Sequence, residues 1–399
     1  MRILMLTHAF NSLAQRLWLG LTEAGHDLSV GYDINDAVTR EAVALWRPDL
    51  ILAPFLKRAI PEDVWRALPC LVVHPGPLGD RGPSALDHAI QVGRASWGVT
   101  VLQARAEMDA GPVCAHRSFA MRADAKSSLY RREVTEAAVG AVYEALECLG
   151  AGRGPILPAN EGPEGEKPLL RRDARRIDWQ RMRTVEVLAR IRAADGQPGV
   201  EDVVHGQPVR LHDAHAAPGR AGPPGALLGR GDEAVLRATA DGAIWIGHLS
   251  VTLAEGGRRI KLPAVAALRR LGARLPPVVA DHDAPNRVTT AEAGDVAIIR
   301  FPFLNGAMST TRSRTLAAAI GDAASGRARD PAERWARVLV QRHRPCDHRG
   351  LGPPGRGVLG FDQRHRRCLP GDARGDRGLG RGGDAWQCRC RRRLHGAGR

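Results

Sequence analysis

The sequence predicts an α/β protein in which a parallel-sheet domain is followed by a smaller β domain. Over residues 1–150, short apolar runs alternate with helical patterns, and such alternation indicates a parallel sheet with helices on both faces. Short β-type runs with turn signals occupy about 200–268 and predict a small β-barrel. After about residue 327, arginine, glycine and proline dominate, a composition that predicts no packed core.

The first domain, residues 1–150, contains five apolar runs that we interpret as strands: 3–6, 28–32, 50–53, 71–73 and 98–103. A helix is predicted over 12–24, because three leucines recur at four-residue spacing before a terminating glycine. A second helix is expected to start at Ser84, with Asp87 completing a capping box. A third is expected over about 127–149.

The rest of the chain divides into four segments by composition: a linker at 151–167, a β-barrel domain at 168–275, a strand-bearing element at 289–327 and a tail at 328–399. The β-barrel domain is expected to contain one helix, over about 182–194. Two hairpins are expected, at 203–211 and 234–246, the latter because Asp241-Gly242 favours a tight hairpin turn. We expect the tail to be disordered, and a frameshifted reading frame would explain its composition.

The charge distribution argues against a nucleic-acid-binding enzyme. The net charge is +15, but residues 326–399 hold 19 arginines against 7 acidic residues and so account for 12 of those charges. The remainder of the chain is nearly balanced, whereas a nucleic-acid enzyme usually carries its basic surface on the folded domain that does the work.

The sequence predicts a cytoplasmic protein without a bound metal. No apolar run reaches the roughly 18 residues that a membrane span needs, and the apolar start is too short for a signal peptide. Cys70, Cys114 and Cys148 are scattered, as reduced cytosolic thiols are. The Cys388-Arg-Cys390 pair lacks the matching second pair of a zinc site.

One segment combines the features of a catalytic centre. His74 ends an apolar strand, a glycine- and proline-rich loop follows it, and Asp109 lies in a turn about 35 residues later. In open parallel sheets, ligands bind outside the carboxyl ends of strands. A carboxylate against His74 would form a general acid/base with its orienting partner and would raise the pKa of the histidine. On spacing alone, a structural histidine and an ordinary turn aspartate are the more common interpretations, so spacing leaves the function open.

The motifs around these residues resemble the folate-dependent formyltransferase family, which includes methionyl-tRNA formyltransferase. The resemblance rests on the following pieces, in family order: His74-Pro-Gly-Pro, Arg81-Gly, Trp97-Gly-Val-Thr100, Asp109-Ala-Gly-Pro112, Arg176-Ile-Asp-Trp179, Gln197-Pro-Gly199 and His205-Gly-Gln207. It implies a Rossmann-like first domain that binds 10-formyltetrahydrofolate as co-substrate and an OB-like second domain. It also implies that His74 is the acid/base and polariser and that Asp109 orients it.

The same resemblance implies the further site residues. Segment 47–61 resembles the strand and loop that wall the pterin pocket. The candidate folate- or acceptor-binding residues are Phe55, Leu56, Ile60, Arg81, Ser84, Met108 and Arg131. The family asparagine that helps to stabilise the oxyanion falls at Val72, which cannot donate a hydrogen bond. Its candidate replacements are Gln15, Ser84 and backbone N–H groups of the 76–82 loop.

Four motifs carry a narrower resemblance: His74-Pro-Gly-Pro-Leu-Gly-Asp-Arg-Gly-Pro-Ser84, Glu107-Met-Asp-Ala-Gly-Pro112, Lys126-Ser-Ser-Leu-Tyr-Arg131 and Glu133-Val-Thr135. They resemble the HypX/HoxX hydrogenase-maturation proteins, which join a formyltransferase half to an enoyl-CoA hydratase (crotonase) half. This implies coenzyme A as formyl acceptor, carbon monoxide release for the nickel–iron centre, and maturation proteins as partners. Segment 305–309 resembles the crotonase opening, and that resemblance fades near residue 327. We therefore expect the chain to lack the carbon-monoxide-releasing step. The alternatives are an amine acceptor, methionyl-tRNA included, a non-catalytic folate- or CoA-binding scaffold, and nucleic-acid binding by the tail.

Overall fold

The computed structural model of the chain describes residues 1–252, 257–280, 284–285, 288–293, 296–304, 307–326 and 337–341. Asn305 and Gly306, and the tail apart from 337–341, lie outside the described residues. An α/β domain and a β domain are joined by a connecting segment, and a third element follows them.

The first domain is built on a six-stranded sheet in the order β2-β1-β3-β4-β5-β6. Its strands are β1 (Arg2–Thr7), β2 (Asp27–Tyr32), β3 (Leu50–Phe55), β4 (Cys70–His74), β5 (Ser96–Gln103) and β6 (Val113–Ala120). Its helices are α1 (Ser12–Glu23), α2 (Asp36–Trp46), α3 (Glu62–Ala67), α4 (Ala85–Gln91), α5 (Lys126–Leu129) and α6 (Thr135–Gly150), with a π-helical turn at Tyr130–Val134 between the last two.

The five expected strands and three expected helices of this domain are present, and their sequence pattern explains why. In α1, Leu13, Leu17 and Leu21 are buried on one face, and the Asn11 side chain accepts a hydrogen bond from the Ala14 amide. An N-cap of this kind satisfies one of the free amides of the first turn. The apolar strands β1 and β3 lie in the middle of the sheet and are buried on both faces, as a parallel sheet requires.

Two details differ from the sequence expectations. The sheet is parallel only through β1–β4, because β5 runs antiparallel to β4. The expected capping box is wrong: Ser84 has a φ of 66° and makes no side-chain cap. Asp87 instead forms ion pairs with Arg175 and Lys126.

The second domain is an antiparallel β domain at the place where the sequence predicts a small β-barrel. Its strands pair in the order β7-β8-β11-β10-β9, and β12 branches from β11. The strands are β7 (Val200–Val204), β8 (Gln207–Ala216), β9 (Leu227–Arg230), β10 (Val235–Ala238), β11 (Ala243–Thr252) and β12 (Arg259–Pro263). The helices are α7 (Arg172–Arg175), α8 (Thr184–Ala194) and α9 (Ala264–Arg270). Both expected hairpins are present, β7–β8 and β10–β11.

The two domains meet through α4 and α8 and through a buried carboxylate. Asp87 on α4 contacts Arg175 of α7 at 2.6 Å and Lys126 of α5 at 3.0 Å. The Lys126 ammonium also donates to the carbonyl of Gln197 in the second domain, at 2.9 Å. Because α4 follows the loop after His74, this junction fixes that loop relative to the second domain.

A third element follows the two domains. Its strands are β13 (Thr289–Ala293), β14 (Val296–Arg300) and β15 (Arg337–Gln341), and its helix is α10 (Thr310–Gly326). β14 pairs antiparallel with β13 and parallel with β15. Strand β15 lies within the segment that composition predicts to be disordered. Arg312 of α10 ion-pairs with Glu233, which ties this element to the second domain.

Candidate active site

His74 is the last residue of β4, and two carboxylates flank its imidazole. Its Nε2 lies 2.7 Å from Asp80 Oδ2, and its Nδ1 lies 3.4 Å from Asp109 Oδ1. The side chains of His74 and Asp80 are 4% and 0% exposed. Both ring nitrogens therefore face an acceptor inside the protein, which favours the imidazolium form.

The loop that follows His74 is held tightly to β5. The Thr100 hydroxyl donates to the carbonyl of Gly76 at 2.8 Å, and the Trp97 indole N–H donates to that of Pro75 at 2.8 Å. A Cβ atom at Gly76 would lie less than 3.0 Å from both His74 and Asp80. The glycine of the His-Pro-Gly-Pro motif is thus required by the close approach of the backbone to the side chains of His74 and Asp80.

Asp109 is held in a left-handed backbone conformation, with a φ of 58°. The Gly82 amide donates to its Oδ2 at 3.2 Å. Asn160 ties the two carboxylate-bearing loops together, because its side-chain amide donates to the carbonyls of Asp80 and Asp109 at 3.0 and 2.8 Å. The position of Asp109 thus depends on the segment that connects the two domains.

The charges of Asp80 and Asp109 favour a protonated His74 at neutral pH. Burial alone would lower the pKa of His74, but its contacts with Asp109 and Asp80 and their charges outweigh burial and raise the pKa to about 9. Burial would raise the pKa of Asp109, but the His74 contact and charge, together with the Gly82 amide, lower it overall. A charged imidazolium between two carboxylates can donate a proton or stabilise a developing negative charge.

An apolar cleft opens beside this pair. Its walls include Leu56, Ile60, Val72, Met108 and Asp109. Its volume is about 30 Å³, room for one or two water molecules, so a bicyclic ring enters only if the wall loops separate. It shares wall residues with a wider groove of about 590 Å³ that carries basic side chains at its edge: Lys57, Arg58 and Arg105.

The structure brings His74 and Asp109 together and places Leu56, Ile60 and Met108 in the cleft wall. The other candidates lie elsewhere. Arg81 ion-pairs with Glu107 at 2.7 Å, and the Ser84 hydroxyl accepts from the Leu170 amide at 3.4 Å. Phe55 packs edge-on against His8. Arg131 is exposed in the π-helical turn. Gln15 is exposed on α1 and donates to the Phe10 carbonyl at 2.9 Å.

Sequence reasoning missed three residues of this centre: Asp80, Asn160 and Lys167. Asp80 stands within the loop motif, but spacing could not show that its carboxylate turns back onto His74. Asn160 and Lys167 belong to the segment interpreted as a linker, where a glycine- and proline-rich composition hides the two polar side chains that reach into the site.

In the part of the chain that the structure describes, none of the helices combines the length and apolarity needed to cross a membrane. Across the same residues, no group of three or more histidine, cysteine, aspartate and glutamate side chains could hold a metal ion.

Comparison with known families decides the relationship of the chain. The formyl transferase family matches residues 33–146, and the formyl transferase C-terminal domain matches residues 169–265. A methionyl-tRNA formyltransferase from Roseiflexus castenholzii is 30% identical over 247 residues, which is 76% of that protein. The chain belongs to the formyl transferase family. The expected relationship and α/β fold are thereby confirmed.

Among formyl transferases, the chain is similar to proteins of hydrogenase maturation. It is 51% identical over 313 residues to the hydrogenase maturation factor HoxX from Bradyrhizobium diazoefficiens. It is 40% identical to HypX from Aquifex aeolicus, with a TM-score of 0.77 over 86% of this chain. A crystal structure of that HypX in complex with tetrahydrofolic acid matches with a TM-score of 0.75. The chain spans 54% of HoxX and about 60% of the HypX chains.

Proposed function

We propose that this chain transfers the formyl group of 10-formyltetrahydrofolate to the thiol of coenzyme A. The observation that carries the proposal is the buried His74–Asp109 pair beside an apolar cleft. A formyl group held over that pair has its carbonyl oxygen next to the charged N–H group of His74. The likeness to a HypX that was crystallised with tetrahydrofolic acid supports folate as the co-substrate.

The reaction breaks the bond from N10 of the folate to the formyl carbon and forms a bond from that carbon to sulfur. A proton leaves the thiol, and one is delivered to N10, so a group that both donates and accepts protons is needed. His74 is that group, and Asp109 holds the ring through Nδ1 so that Nε2 can face the substrate. For this, Nε2 has to leave the Asp80 carboxylate, because its distance to Oδ2 of Asp80 is 2.7 Å.

Charge that develops on the formyl oxygen needs donors besides His74. Val72 lines the cleft and offers none. In the 76–82 loop, Pro77 has no N–H and the amides of residues 79–82 already donate within the protein. Gly76 and Leu78 are therefore the backbone candidates for this role. Gln15 can contribute only if its side chain leaves the Phe10 carbonyl. If Gln15 does donate to the oxyanion, Gln15→Ala slows transfer about 10-fold or more; an unchanged rate removes it from the site.

By its likeness to HoxX and HypX, the formyl transfer belongs to the route that supplies the carbon monoxide ligand of nickel–iron hydrogenase, in the cytoplasm and together with other maturation proteins. The chain spans little more than half of HoxX. We propose that segment 289–327 is the beginning of a crotonase-like half. An amine acceptor, as in methionyl-tRNA formyltransferases, is the second candidate, because such proteins are about 30% identical.

The proposal is tested by measuring tetrahydrofolate release with three acceptors in parallel: coenzyme A, an amino sugar nucleotide and methionyl-tRNA. Release that depends on coenzyme A, with formyl-CoA as product, is the expected result. Release only with an amine would transfer the activity to the second candidate. Tight folate binding without release for any acceptor would make the chain a binding scaffold and overturn the enzymatic proposal.

A further inference from the structure

The segment that connects the two domains passes directly over the loop that follows His74. The Lys167 amide donates to the carbonyl of Arg81 at 2.9 Å, and the Arg81 amide donates to that of Gly165 at 3.2 Å. A Cβ atom at Gly79 would lie less than 3.0 Å from Gly162. The segment is therefore packed against the loop by backbone contacts as close as those inside a sheet.

This packing delivers one cation to the catalytic centre. The Lys167 ammonium contacts Oδ1 of Asp80, whose other oxygen lies 2.7 Å from His74 Nε2. The lysine side chain is 17% exposed and lies 5.4 Å from the centre of the Trp97 ring. Asp80 thus contacts the imidazole of His74 through one carboxylate oxygen and the ammonium of Lys167 through the other.

Lys167 balances the charge of the site. An imidazolium with two carboxylates, Asp80 and Asp109, leaves one negative charge uncompensated in a buried place, which is costly unless a cation pairs with it. The ammonium supplies that cation. The remaining charged groups around it are paired: Glu164 contacts both Lys167 and Arg94 at 3.1 Å, and Arg81 pairs with Glu107.

The family matches do not cover this part of the chain. One match ends at residue 146 and the other begins at 169, so Lys167 lies between them. Its contact with Asp80 therefore lies outside both matched domains. The segment contributes a side chain to the centre as well as joining the domains.

We propose that Lys167 is a positioning residue of the catalytic centre: by holding Asp80, it controls how strongly that carboxylate engages Nε2 of His74. Nε2 has to be released from Asp80 for the formyl group to reach it. Lys167 keeps Asp80 partnered after the release, so the exchange leaves no carboxylate buried alone. This inference rests on the proposed formyl transfer and assigns part of its rate to the connection between the domains.

The test compares Lys167→Met with the wild type and with two controls. Lys261→Met is the matched control, because Lys261 is also partly buried near a carboxylate, 4.0 Å from Asp195 in the second domain. Lys167→Arg is the conservative variant. We expect Lys167→Met to lower kcat about 10- to 100-fold with KM nearly unchanged, Lys167→Arg to recover most of the loss, and Lys261→Met to behave as the wild type.

A second readout does not need turnover. Loss of the ammonium removes a positive charge that opposes protonation of His74, so the titration of the His74 ring followed by NMR shifts upward in Lys167→Met. An unchanged kcat together with an unchanged titration overturns the proposal, as does a raised KM at constant kcat. If the wild type releases no tetrahydrofolate, the proposed function fails, and the ring titration still decides the role of Lys167.

A double-mutant comparison shows whether Lys167 acts through Asp80. The variant Asp80→Asn/Lys167→Met removes the ion pair as a neutral unit, so it avoids an uncompensated buried charge if Lys167→Met alone does not fold. We expect its kcat and its His74 titration to equal those of Asp80→Asn alone. A further loss of more than about three-fold, beyond the usual error of additivity, contradicts the proposal.

Discussion

The two domains each bury a histidine beside a carboxylate, but the two rings differ in their charge and in their access to a cleft. In the first, His74 lies between Asp80 and Asp109, and its pKa is raised to about 9. In the second, His212 lies 2.8 Å from the Ser250 hydroxyl and 3.7 Å from Asp195. Burial there outweighs Asp195 and lowers the pKa of His212.

The second cluster contains the residue types of a nucleophilic triad, yet its geometry gives it a structural role. The separation of 3.7 Å is too long for the hydrogen bond that would orient the ring. His212 is 1% exposed in the middle of a β sheet, whereas His74 ends a strand beside a cleft. The comparison teaches that two clusters of similar residue types differ in the charge around the ring and in its access to a cleft, and these two features make His74 the better catalytic candidate.

The largest expected difference between the clusters comes from the aspartates. Asp109→Asn keeps the left-handed backbone, which asparagine tolerates. It removes the negative charge that orients the His74 ring and favours its protonated form. We expect the rate of formyl transfer to fall about 10²- to 10³-fold. The matched change Asp195→Asn in the second cluster should leave the rate within about two-fold. If steady-state assays show equal losses of formyl-transfer rate in the two variants, the two clusters do not differ in function.

The pH dependence of stability sharpens the same comparison. Since the folded pKa of His74 is raised to about 9 from an ordinary value of 6.5, its contribution is complete below pH 6.5 and is lost as the pH rises through 9. The stability advantage of the wild type over His74→Gln should therefore shrink by about 3 kcal/mol between pH 6 and 9.5, measured by denaturant unfolding. An advantage that stays constant over this range would show that His74 is not held charged.

Ser250→Ala should have the smallest effect. It removes the hydroxyl partner of His212 and should cost about 1 kcal/mol of unfolding free energy, while formyl transfer stays within about two-fold of the wild type. Thermal unfolding and the release assay measure the two quantities on one sample. A large loss of turnover at intact stability would mean that the second cluster takes part in the reaction.

The sequence was sufficient to predict the elements whose pattern is local. The apolar runs of β1, β3 and β4, the leucine face of α1 and the hairpin residues of the second domain each specify their own structure. The direction of β5 could not be predicted, because it depends on pairing with β4 and β6 across the sheet, which no local pattern in the sequence records. Helix α2 was missed since it has one fully buried residue, Thr39, and hence a weak apolar pattern.

The candidate site could be predicted only where a motif carried it. His74 and Asp109 stand in motifs with a chemical meaning, and the structure brings them together. The Asp80 carboxylate turns back onto His74, and Asn160 and Lys167 reach Asp80 through tertiary contacts between segments about 80 residues apart. Such contacts leave no periodicity or spacing in the sequence, so the second carboxylate partner of His74 and its lysine emerge only from the fold.

The central claim is that His74 performs formyl transfer, and one measurement tests it most directly: tetrahydrofolate release from 10-formyltetrahydrofolate in the presence and absence of coenzyme A, for the wild type and His74→Ala. The account predicts release that requires coenzyme A and falls by at least about 10³-fold in His74→Ala, with folate binding retained. Release by His74→Ala at close to the wild-type rate would contradict it.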